Sequence, residues 1–408
     1  MENVLSAPET TTLVASVVNG LVKGGLGGSD VPQLVAGLCR RLNAGGVAVD
    51  RAGCSILTLH PQTVSQEITW RADRDSTTTT YHSPRMMGDP DTLRGPYFYL
   101  ALNRLSYKRF PLGEGQAEAN MPLLGRLRSE RYTEYFGFFH PTGGTGAITP
   151  FARGLHLAPC VVGSFATRQP GGFHEADIDC FKSVSETLAL AAKAWTNFDT
   201  GARLLDVYLG RACGSQVLDG RITRGDSSRI SCGIWICDLR HSSRLATQLP
   251  PDEYVALLNS YFDATVGSVT RAGGEVLKFV GDAVMAIFRS DRPRNDLDMR
   301  ERVLTASTSV MRDVHALHVL GRPLEVGIAL HVGEVMYGNI GTDERLDFTV
   351  IGRAVNQAAR LEGLAKQLGH PVLASASFVE PIRDRFHFVG SHPVAGFDEL
   401  LETYVPRA

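Results

Sequence analysis

The chain has 408 residues, which is enough for two domains and a connector. Hydrophobic residues make up 43% and charged residues 21% of the sequence, as in an ordinary soluble globular protein. The net charge of −2 gives no electrostatic reason to expect nucleic acid or an anionic membrane as a partner.

The sequence shows no sign of membrane insertion or export. No apolar run approaches the roughly 20 residues of a bilayer span, and the first residues lack the basic region of a secretory signal. The seven cysteines are scattered and form no Cys-x-x-Cys pair, which argues against a disulfide framework or a structural zinc site. We therefore expect a cytoplasmic protein without a membrane span.

The first part of the chain has mixed helix and strand patterns. Residues 12–43 are expected to be helical, with a break at the glycines between residues 24 and 28. Strand patterns follow at Cys54–Leu59, Glu67–Arg71 and Cys160–Thr167.

Residues 181–212 carry an apolar seam with alternating spacings of three and four. The seam consists of Phe181, Val184, Leu188, Ala191, Trp195, Phe198, Ala202, Leu205 and Leu209. This heptad pattern predicts a linker helix that forms a coiled coil with a second copy of the chain. The alternative is one long amphipathic helix that packs on its own domain, and Gly201 and the two alanines weaken the seam.

From residue 231 onward strands and helices alternate, after a polar stretch at 213–230. The predicted elements are strand Ile234–Cys237, helix Pro251–Ala272, hairpin Glu275–Phe288, a helix near 298–319, strand Leu324–His331, a strand ending near Gly341, helix Arg353–Leu368 and strand Val372–Ala374. This alternation predicts an α/β or α+β fold with helices packed on a mixed sheet.

Two aspartates follow apolar strands. Asp238 ends Ile234–Cys237, and Asp282 follows Gly281 in the turn of the hairpin. Hard oxygen ligands without a nearby His or Cys suit Mg²⁺ or Mn²⁺, and two such ions about 4 Å apart suit phosphoryl chemistry. Taken alone, each aspartate reads more simply as a turn or cap residue.

A polar pair marks the helix after Ile351-Gly352. Asn356 and Arg360 are four residues apart and so share one face. The planar, permanently charged guanidinium suits charge that develops on a phosphoryl group. The alternative for Arg360 is a surface cation near Glu362.

Three motifs together resemble the class III nucleotidyl cyclases. They are Asp-Leu-Arg at 238–240, Lys-Phe-Val-Gly-Asp at 278–282, and Asp-Phe-Thr-Val-Ile-Gly-Arg-Ala-Val-Asn-Gln-Ala-Ala-Arg at 347–360. The resemblance covers residues 231–408, in the order and spacing of the family. It implies a palm-like α/β catalytic domain that works as a head-to-tail homodimer with active sites at the interface.

The resemblance implies a role for each matching residue on the metal side. Asp238 and Asp282 match the two metal-binding aspartates, and the carbonyl of Leu239 matches a further contact to Mg²⁺ or Mn²⁺, two ions per site. Ser242 and Ser243 fall in the loop that holds the phosphates.

On the substrate side, Lys278 matches the adenine-reading lysine and Thr349 the second purine-reading position. Asn356 matches the ribose-orienting asparagine, and Arg360 matches the arginine that stabilises the pentavalent phosphorus. Lysine can donate to N1 of adenine and threonine can accept from its exocyclic amine; guanylyl cyclases of the family have Glu and Cys there. The implied reaction converts ATP into 3′,5′-cyclic AMP and pyrophosphate.

Two departures from the family pattern keep another function open. The phosphate loop reads His241-Ser242-Ser243 instead of Gly-Phe-Thr, and Ala395 stands where the family often has a phosphate-binding lysine. Arg240, Arg244 or another cation can substitute. The alternative is a catalytically weak or inactive regulatory module that binds nucleotide. A diguanylate cyclase is disfavoured because Gly273-Gly274-Glu275 precedes the hairpin turn.

The N-terminal part resembles known regulatory segments less closely. Residues 1–180 resemble a GAF-like sensor through Val162–Thr167 and the run from Pro170 to Ile178, and residues 213–230 resemble the transducer segment of bacterial cyclases. The resemblance implies regulation by an unidentified small molecule or other signal.

Overall fold

The computed structural model describes residues 7–57, 63, 65–82, 90–113, 121–142, 149–151, 155–157, 160–290 and 296–407. The chain divides into two compact units, Met1–Leu204 and Leu205–Ala408. Among the described residues, no helix is both long enough and apolar enough to cross a bilayer. All seven cysteines are buried and carry free thiols.

The first unit contains an antiparallel sheet and the helices around it. Its helices are α1 (Ala7–Leu26), α2 (Val31–Ala44), α3 (Pro90–Leu93), α4 (Pro96–Leu102), α5 (Pro122–Ser129) and the start of α6 (Glu175–Leu209). Its strands are β1 (Arg51–Leu57), β2 (Ser65–Arg71), β3 (Ser76–His82), β4 (Tyr107–Pro111), β5 (Glu134–Pro141), β6 (Thr149–Phe151), β7 (Leu155–Leu157) and β8 (Cys160–Thr167). The main sheet has the order β3-β2-β1-β8-β5-β4, and β6 pairs with β7.

Local signals place α1, α2, β2 and β8 close to where the sequence predicts them, whereas the helices and strands between β2 and β6 were not predicted. The break between α1 and α2 includes Gly28 at φ 79°, and the Asp30 carboxylate accepts the Gln33 backbone N–H at 2.8 Å to cap α2. Strand β8 has the predicted bounds. Strand β1 begins earlier than predicted, at Arg51, and the predicted residues 58–59 lie outside the described part of the chain.

Helix α6 begins before the predicted linker, and its seam divides into two parts. Phe181, Val184 and Leu188 are buried in the core of the first unit. Phe198, by contrast, is 68% exposed. The first half of the seam therefore packs on its own domain, which corrects the prediction of a coiled coil along the whole seam. A heptad stripe and a core-facing stripe share this spacing over two heptads.

The second unit contains a larger mixed sheet. Its helices are α7 (Arg211–Leu218), α8 (Ser242–Gln248), α9 (Pro251–Arg271), α10 (Leu297–His315), α11 (Arg353–Leu368) and α12 (Ala376–Val379), with a 3₁₀ helix at Glu380–Arg385. Its strands are β9 (Ser227–Leu239), β10 (Glu275–Val280), β11 (Ala283–Arg289), β12 (His318–Val319), β13 (Arg322–Pro323), β14 (Val326–Gly341), β15 (Leu346–Ile351), β16 (Val372–Ser375), β17 (Phe386–His392) and β18 (Leu401–Pro406). The sheet order is β10-β11-β9-β14-β16-β18-β17, and β15 pairs with β14.

The sheet lies between two helical layers, as the predicted α/β fold requires. Alternate residues of β9 point into different cores. Trp235 and Cys237 join α9 and α10 in one core, whereas Ile234 and Ile236 join α7 and α11 in the other. Because both faces of β9 are covered, its central part reads as one continuous apolar run.

Several predicted boundaries differ from the structure, and β9 begins at Ser227, seven residues before the predicted strand at Ile234. The strands predicted at Leu324–His331 and up to Gly341 are one strand, β14, which pairs with β9 along its length. Helix α10 ends at His315 because a turn at Leu320 and Gly321, both with positive φ, folds β12 back on β13. The linker helix ends at Leu209, where Gly210 has φ 82°.

Helix α7 is anchored to the sheet by a buried polar cluster. The Cys213 thiol lies 3.5 Å from the Tyr337 hydroxyl and 3.6 Å from Glu275 Oε1. The Tyr337 hydroxyl also donates to Glu275, and Arg289 Nε donates to Glu275 Oε2 at 3.4 Å. Glu275 is the first residue of β10, so this part of the predicted transducer segment contacts the strand that carries Lys278.

Candidate active site

The two aspartates meet at one edge of the sheet. Asp238 is the second-last residue of β9, and the neighbouring hairpin closes at Val280 opposite Ala283 with Gly281-Asp282 as its turn. Gly281 has φ 64°, a conformation that glycine adopts without strain. Because β11 pairs directly with β9, this turn brings Asp282 beside Asp238.

The electrostatics of this pair are those of a cation site. Burial, followed by the charge of Asp282, raises the pKa of Asp238 to about 6. Asp282 Oδ2 is buried and has no hydrogen-bond partner among the described residues. Buried carboxylate oxygens without a partner are costly unless a cation neutralises them.

Helix α11 adds two charged residues that the sequence analysis did not assign. Burial raises the pKa of Glu362, and the charge of Asp282 adds to this shift. Lys366 Nζ lies 3.7 Å from Asp238 Oδ2. Within the described residues, no group of three or more His, Cys, Asp or Glu side chains is arranged to hold a metal ion. The candidate ligands thus remain Asp238, Asp282 and the carbonyl of Leu239.

The loop after β9 leads into the short helix α8. His241 has φ 61°, in the left-handed region that favours glycine. Ser242 and Ser243 are the first residues of α8, and the first backbone bonds to close there run from Arg244 and Leu245 to the His241 carbonyl. The backbone N–H groups of Ser242 and Ser243 therefore lie before the first hydrogen bonds within the helix.

Arg240 is held away from this loop. Its Nη2 donates to the His370 carbonyl at 3.0 Å, and the guanidinium lies so close to Gly327 that an added Cβ there would approach Nη2 to 2.2 Å. The Arg240 guanidinium is therefore held by the segment before β16 and by β14. This makes Arg240 a poor substitute for the phosphate-binding lysine that the resemblance implies.

Lys278 lies on the edge strand β10, and it contacts a carboxylate of β15, the strand of Thr349, which pairs with β14 outside the main strand order. Lys278 Nζ donates to Asp347 Oδ2 at 3.3 Å, and Asp347 is two residues before Thr349 on β15, on the same face. Thr349 is 4% exposed, and its hydroxyl has no hydrogen-bond partner among the described residues. The pair therefore offers a lysine donor and an uncommitted hydroxyl.

Asn356 and Arg360 are both exposed on α11. Asn356 lines a cavity of about 740 Å³ together with Arg353, Gly396 and Phe397. Within the described part of the chain, no ion pair involves Arg360, so Arg360 is an exposed cation that does not pair with Glu362, and its role at the phosphorus stays a prediction.

The predicted residues therefore form two groups within one chain. Asp238, Leu239 and Asp282 lie together at the edge that Ser242 and Ser243 follow. Lys278 and Thr349 form the second group with Asp347, while Asn356 and Arg360 extend from α11. The sequence analysis missed Asp347, Glu362 and Lys366. Asp347 lies two residues before Thr349, and Glu362 and Lys366 lie two and six residues after Arg360. This spacing is the one sequence signal that could have pointed to them.

Residues 227–395 match the family model described as the adenylate and guanylate cyclase catalytic domain. This segment is thus a class III nucleotidyl cyclase catalytic domain, and the matched residues begin at Ser227, the first residue of β9. The family model covers both adenylate and guanylate cyclases, so it leaves the purine open.

Several similar proteins are described as adenylate or adenylyl cyclases. The chain is 33% identical over 193 residues to an adenylate cyclase of Anabaena cylindrica, covering 45% of this chain and 38% of that protein. It is 30% identical over 189 residues to a terminal-differentiation-specific adenylate cyclase of Dictyostelium discoideum, covering 44% of this chain and 9% of that protein. The structure of a bacterial light-regulated adenylyl cyclase is 30% identical, with 44% and 91% coverage and a TM-score of 0.39.

Proposed function

We propose that the second unit converts ATP into 3′,5′-cyclic AMP and pyrophosphate. The observation that carries the choice of ATP is that Lys278 bonds Asp347 on β15, the strand on which the buried Thr349 hydroxyl has no hydrogen-bond partner among the described residues. A lysine donor and a hydroxyl acceptor match N1 and the exocyclic amine of adenine, whereas guanine presents the reverse pattern. The adenylate cyclases among the relatives support this choice.

Asp238, Asp282 and the carbonyl of Leu239 would hold Mg²⁺ or Mn²⁺, with two ions per site. The unpartnered, buried Asp282 oxygen and the raised pKa of Asp238 fit this role. Bound there, the ions supply Lewis-acid neutralisation of phosphoryl charge.

The remaining residues act on the nucleotide directly. Arg360 stabilises the charge that develops as the ribose 3′-oxygen attacks the α-phosphorus and pyrophosphate leaves. Asn356 orients the ribose, and the backbone N–H groups of Ser242 and Ser243 bind phosphate oxygens. No protein general base is assigned.

Each active site is shared by two copies of the chain in this proposal. The metal-binding group of one protomer faces Lys278, Thr349, Asn356 and Arg360 of its partner. The exposed Arg360, which lacks an ion pair among the described residues, supports an interface role. The first unit, with its GAF-like character, regulates this dimer in response to an unidentified signal, and the protein works in the cytoplasm.

Two assays test the proposal. Purified full-length protein with Mn²⁺ should form cyclic AMP from ATP and little cyclic GMP from GTP. Mixing inactive Asp282→Ala with inactive Arg360→Ala should restore activity at one of the two sites. Mixing Asp282→Ala with Asp238→Ala is the matched control, since both changes affect the same half. Verified heterodimers without activity would count against shared sites.

A catalytically inactive nucleotide-binding module is the second candidate. The observation in its favour is that Ala395 and the committed Arg240 leave the phosphates without the expected cation. A well-folded dimer that binds Mn-ATP and forms no cyclic AMP would decide for this candidate.

A further inference from the structure

The cavity at the start of α11 contains a cation that the assignments above do not use. Arg353 is the first residue of α11 and lines this cavity of about 740 Å³ beside Asn356. Gly396 and Phe397, which directly follow Ala395 in the chain, also line this cavity. A basic side chain therefore lies next to the ribose-orienting residue.

Arg353 is oriented by two neighbours and still reaches solvent. Its guanidinium lies 5.5 Å from the centroid of the Phe397 ring, a distance at which a cation and an aromatic face attract. Its Nη2 lies 3.2 Å from Glu399 Oε2, with the two side chains 63% and 81% exposed. An ion pair this exposed contributes little and exchanges easily for a stronger partner.

The start of α11 adds to the positive potential of the cavity. Gly352 provides no side-chain cap, and the first turn of α11 contains no acidic residue. Uncapped N–H groups and the helix dipole favour an anion there, although Asp398 also lines the cavity and opposes this effect.

We infer that Arg353 binds the polyphosphate of the nucleotide, in the place of the cation that Ala395 cannot supply. The inference rests on the proposed function for the identity of the ligand. A guanidinium can bind phosphate oxygens through two parallel N–H groups. In the shared site, Arg353 contacts the phosphates from the same protomer as Asn356 and Arg360.

Glu399 makes the inference testable in both directions. Replacing Arg353 removes the cation, whereas Glu399→Gln breaks the same ion pair and leaves the cation available. If Arg353 binds phosphate, the two changes have opposite effects on nucleotide affinity. If the ion pair is only structural, they act in the same direction.

The experiment measures binding of two probes to the full-length dimer by calorimetry with Mn²⁺. The probes are 3′-deoxy-ATP, which lacks the attacking hydroxyl, and 3′-deoxyadenosine, which lacks phosphates. We expect Arg353→Ala to weaken 3′-deoxy-ATP about tenfold and to leave 3′-deoxyadenosine unchanged. Glu399→Gln should strengthen 3′-deoxy-ATP about twofold.

Two further variants sharpen the result. Ala395→Lys in the Arg353→Ala background should restore much of the lost 3′-deoxy-ATP affinity. Arg229→Ala removes another exposed arginine, which pairs with Glu334 at 3.7 Å, and should change neither probe. Because Arg353 is exposed, its replacement should leave the fold intact. A melting curve for each variant checks that the variant is folded.

Clear outcomes overturn the inference. Equal weakening of both probes by Arg353→Ala would do so, as would weakening of 3′-deoxy-ATP by Glu399→Gln or failure of the wild-type protein to bind either probe. If wild-type protein binds 3′-deoxy-ATP in an Arg353-dependent way and yet forms no cyclic AMP from ATP, the proposed turnover fails and the assignment of Arg353 stands.

Discussion

The proposed metal-binding group and the proposed purine-reading group differ in how their charges are balanced. At the edge of the sheet, Asp238 and Asp282 repel each other, Lys366 at 3.7 Å from Asp238 offsets only part of this negative charge, and Asp282 Oδ2 has no partner among the described residues. In the purine-reading group, Lys278 is already paired with Asp347 at 3.3 Å. One group has excess negative charge, and in the other the charge is balanced within the chain.

This difference indicates two ways of preparing a site for a ligand. The aspartates are held together by strands β9 and β11 at an electrostatic cost that a cation removes, so binding of metal should stabilise the fold. Under the proposed function, Lys278 must exchange Asp347 for adenine, so part of the binding energy is used to break an existing contact. The following predictions test that contrast, beginning with the largest effect.

Removal of one proposed metal-binding carboxylate should lower the activity and raise the stability of the metal-free protein. We expect Asp282→Asn to lower the turnover of ATP about 1,000-fold, because phosphoryl charge is no longer neutralised. The same change should raise the free energy of unfolding of the metal-free protein by about 1 kcal/mol, since a like-charge contact is lost. Cyclic AMP formation and denaturant unfolding in EDTA measure the two effects. A metal-free variant less stable than wild type would show that Asp282 stabilises the fold without a cation.

Exchange of the purine-reading residues should change the substrate. In an Asp347→Asn background, which avoids a carboxylate facing a carboxylate, we expect Lys278→Glu with Thr349→Cys to shift the ratio of kcat/KM for ATP and GTP at least about 100-fold toward GTP. The ratio is measured for both nucleotides on the same preparation, so a general loss of activity does not affect it. An unchanged ratio would remove these two residues from purine reading.

Release of Lys278 should improve substrate binding slightly. We expect Asp347→Asn to lower KM for ATP about threefold without changing kcat, because the lysine no longer has to leave a carboxylate. Asp343→Asn is the matched control, since Asp343 pairs with Arg224 at 3.7 Å and is 89% exposed. A raised KM in Asp347→Asn would show that Asp347 orients Lys278 and does not compete for it.

The smallest effect concerns the loop between the aspartate and α8. His241 has φ 61°, and we expect His241→Gly to raise the free energy of unfolding by about 1 kcal/mol by removing this backbone strain. Ser243→Gly, inside α8, should lower stability instead. Chemical denaturation of both variants gives the comparison, and a destabilised His241→Gly would assign the imidazole a structural contact.

Local patterns were sufficient to place much of the candidate site. The apolar run before Asp238, the Gly281-Asp282 turn and the shared face of Asn356 and Arg360 each depend on neighbours within a few residues, and the structure has all three. The helix–sheet alternation of the second unit followed from the same periodicities.

The contacts that the sequence did not reveal depend on packing between distant segments. Lys366 approaches Asp238 only because α11 packs across β9, and Asp347 approaches Lys278 only because β15 lies near β10. The early burial of the α6 seam likewise depends on the sheet of the first unit, which no heptad pattern specifies. The spacing of residues along the chain shows which side chains share one face of a helix or strand. It does not show which other element packs against that face.

The burial of every cysteine has a practical consequence for probing the proposed dimer. Burial raises the pKa of Cys54 and of Cys160 to about 12, and all seven thiols are buried, so alkylating reagents should leave the native chain unlabelled. A single cysteine introduced at the exposed Phe198 would then be the one reactive thiol. A spin label or a crosslinker could therefore be attached to the outer half of α6 without reaction at the native thiols.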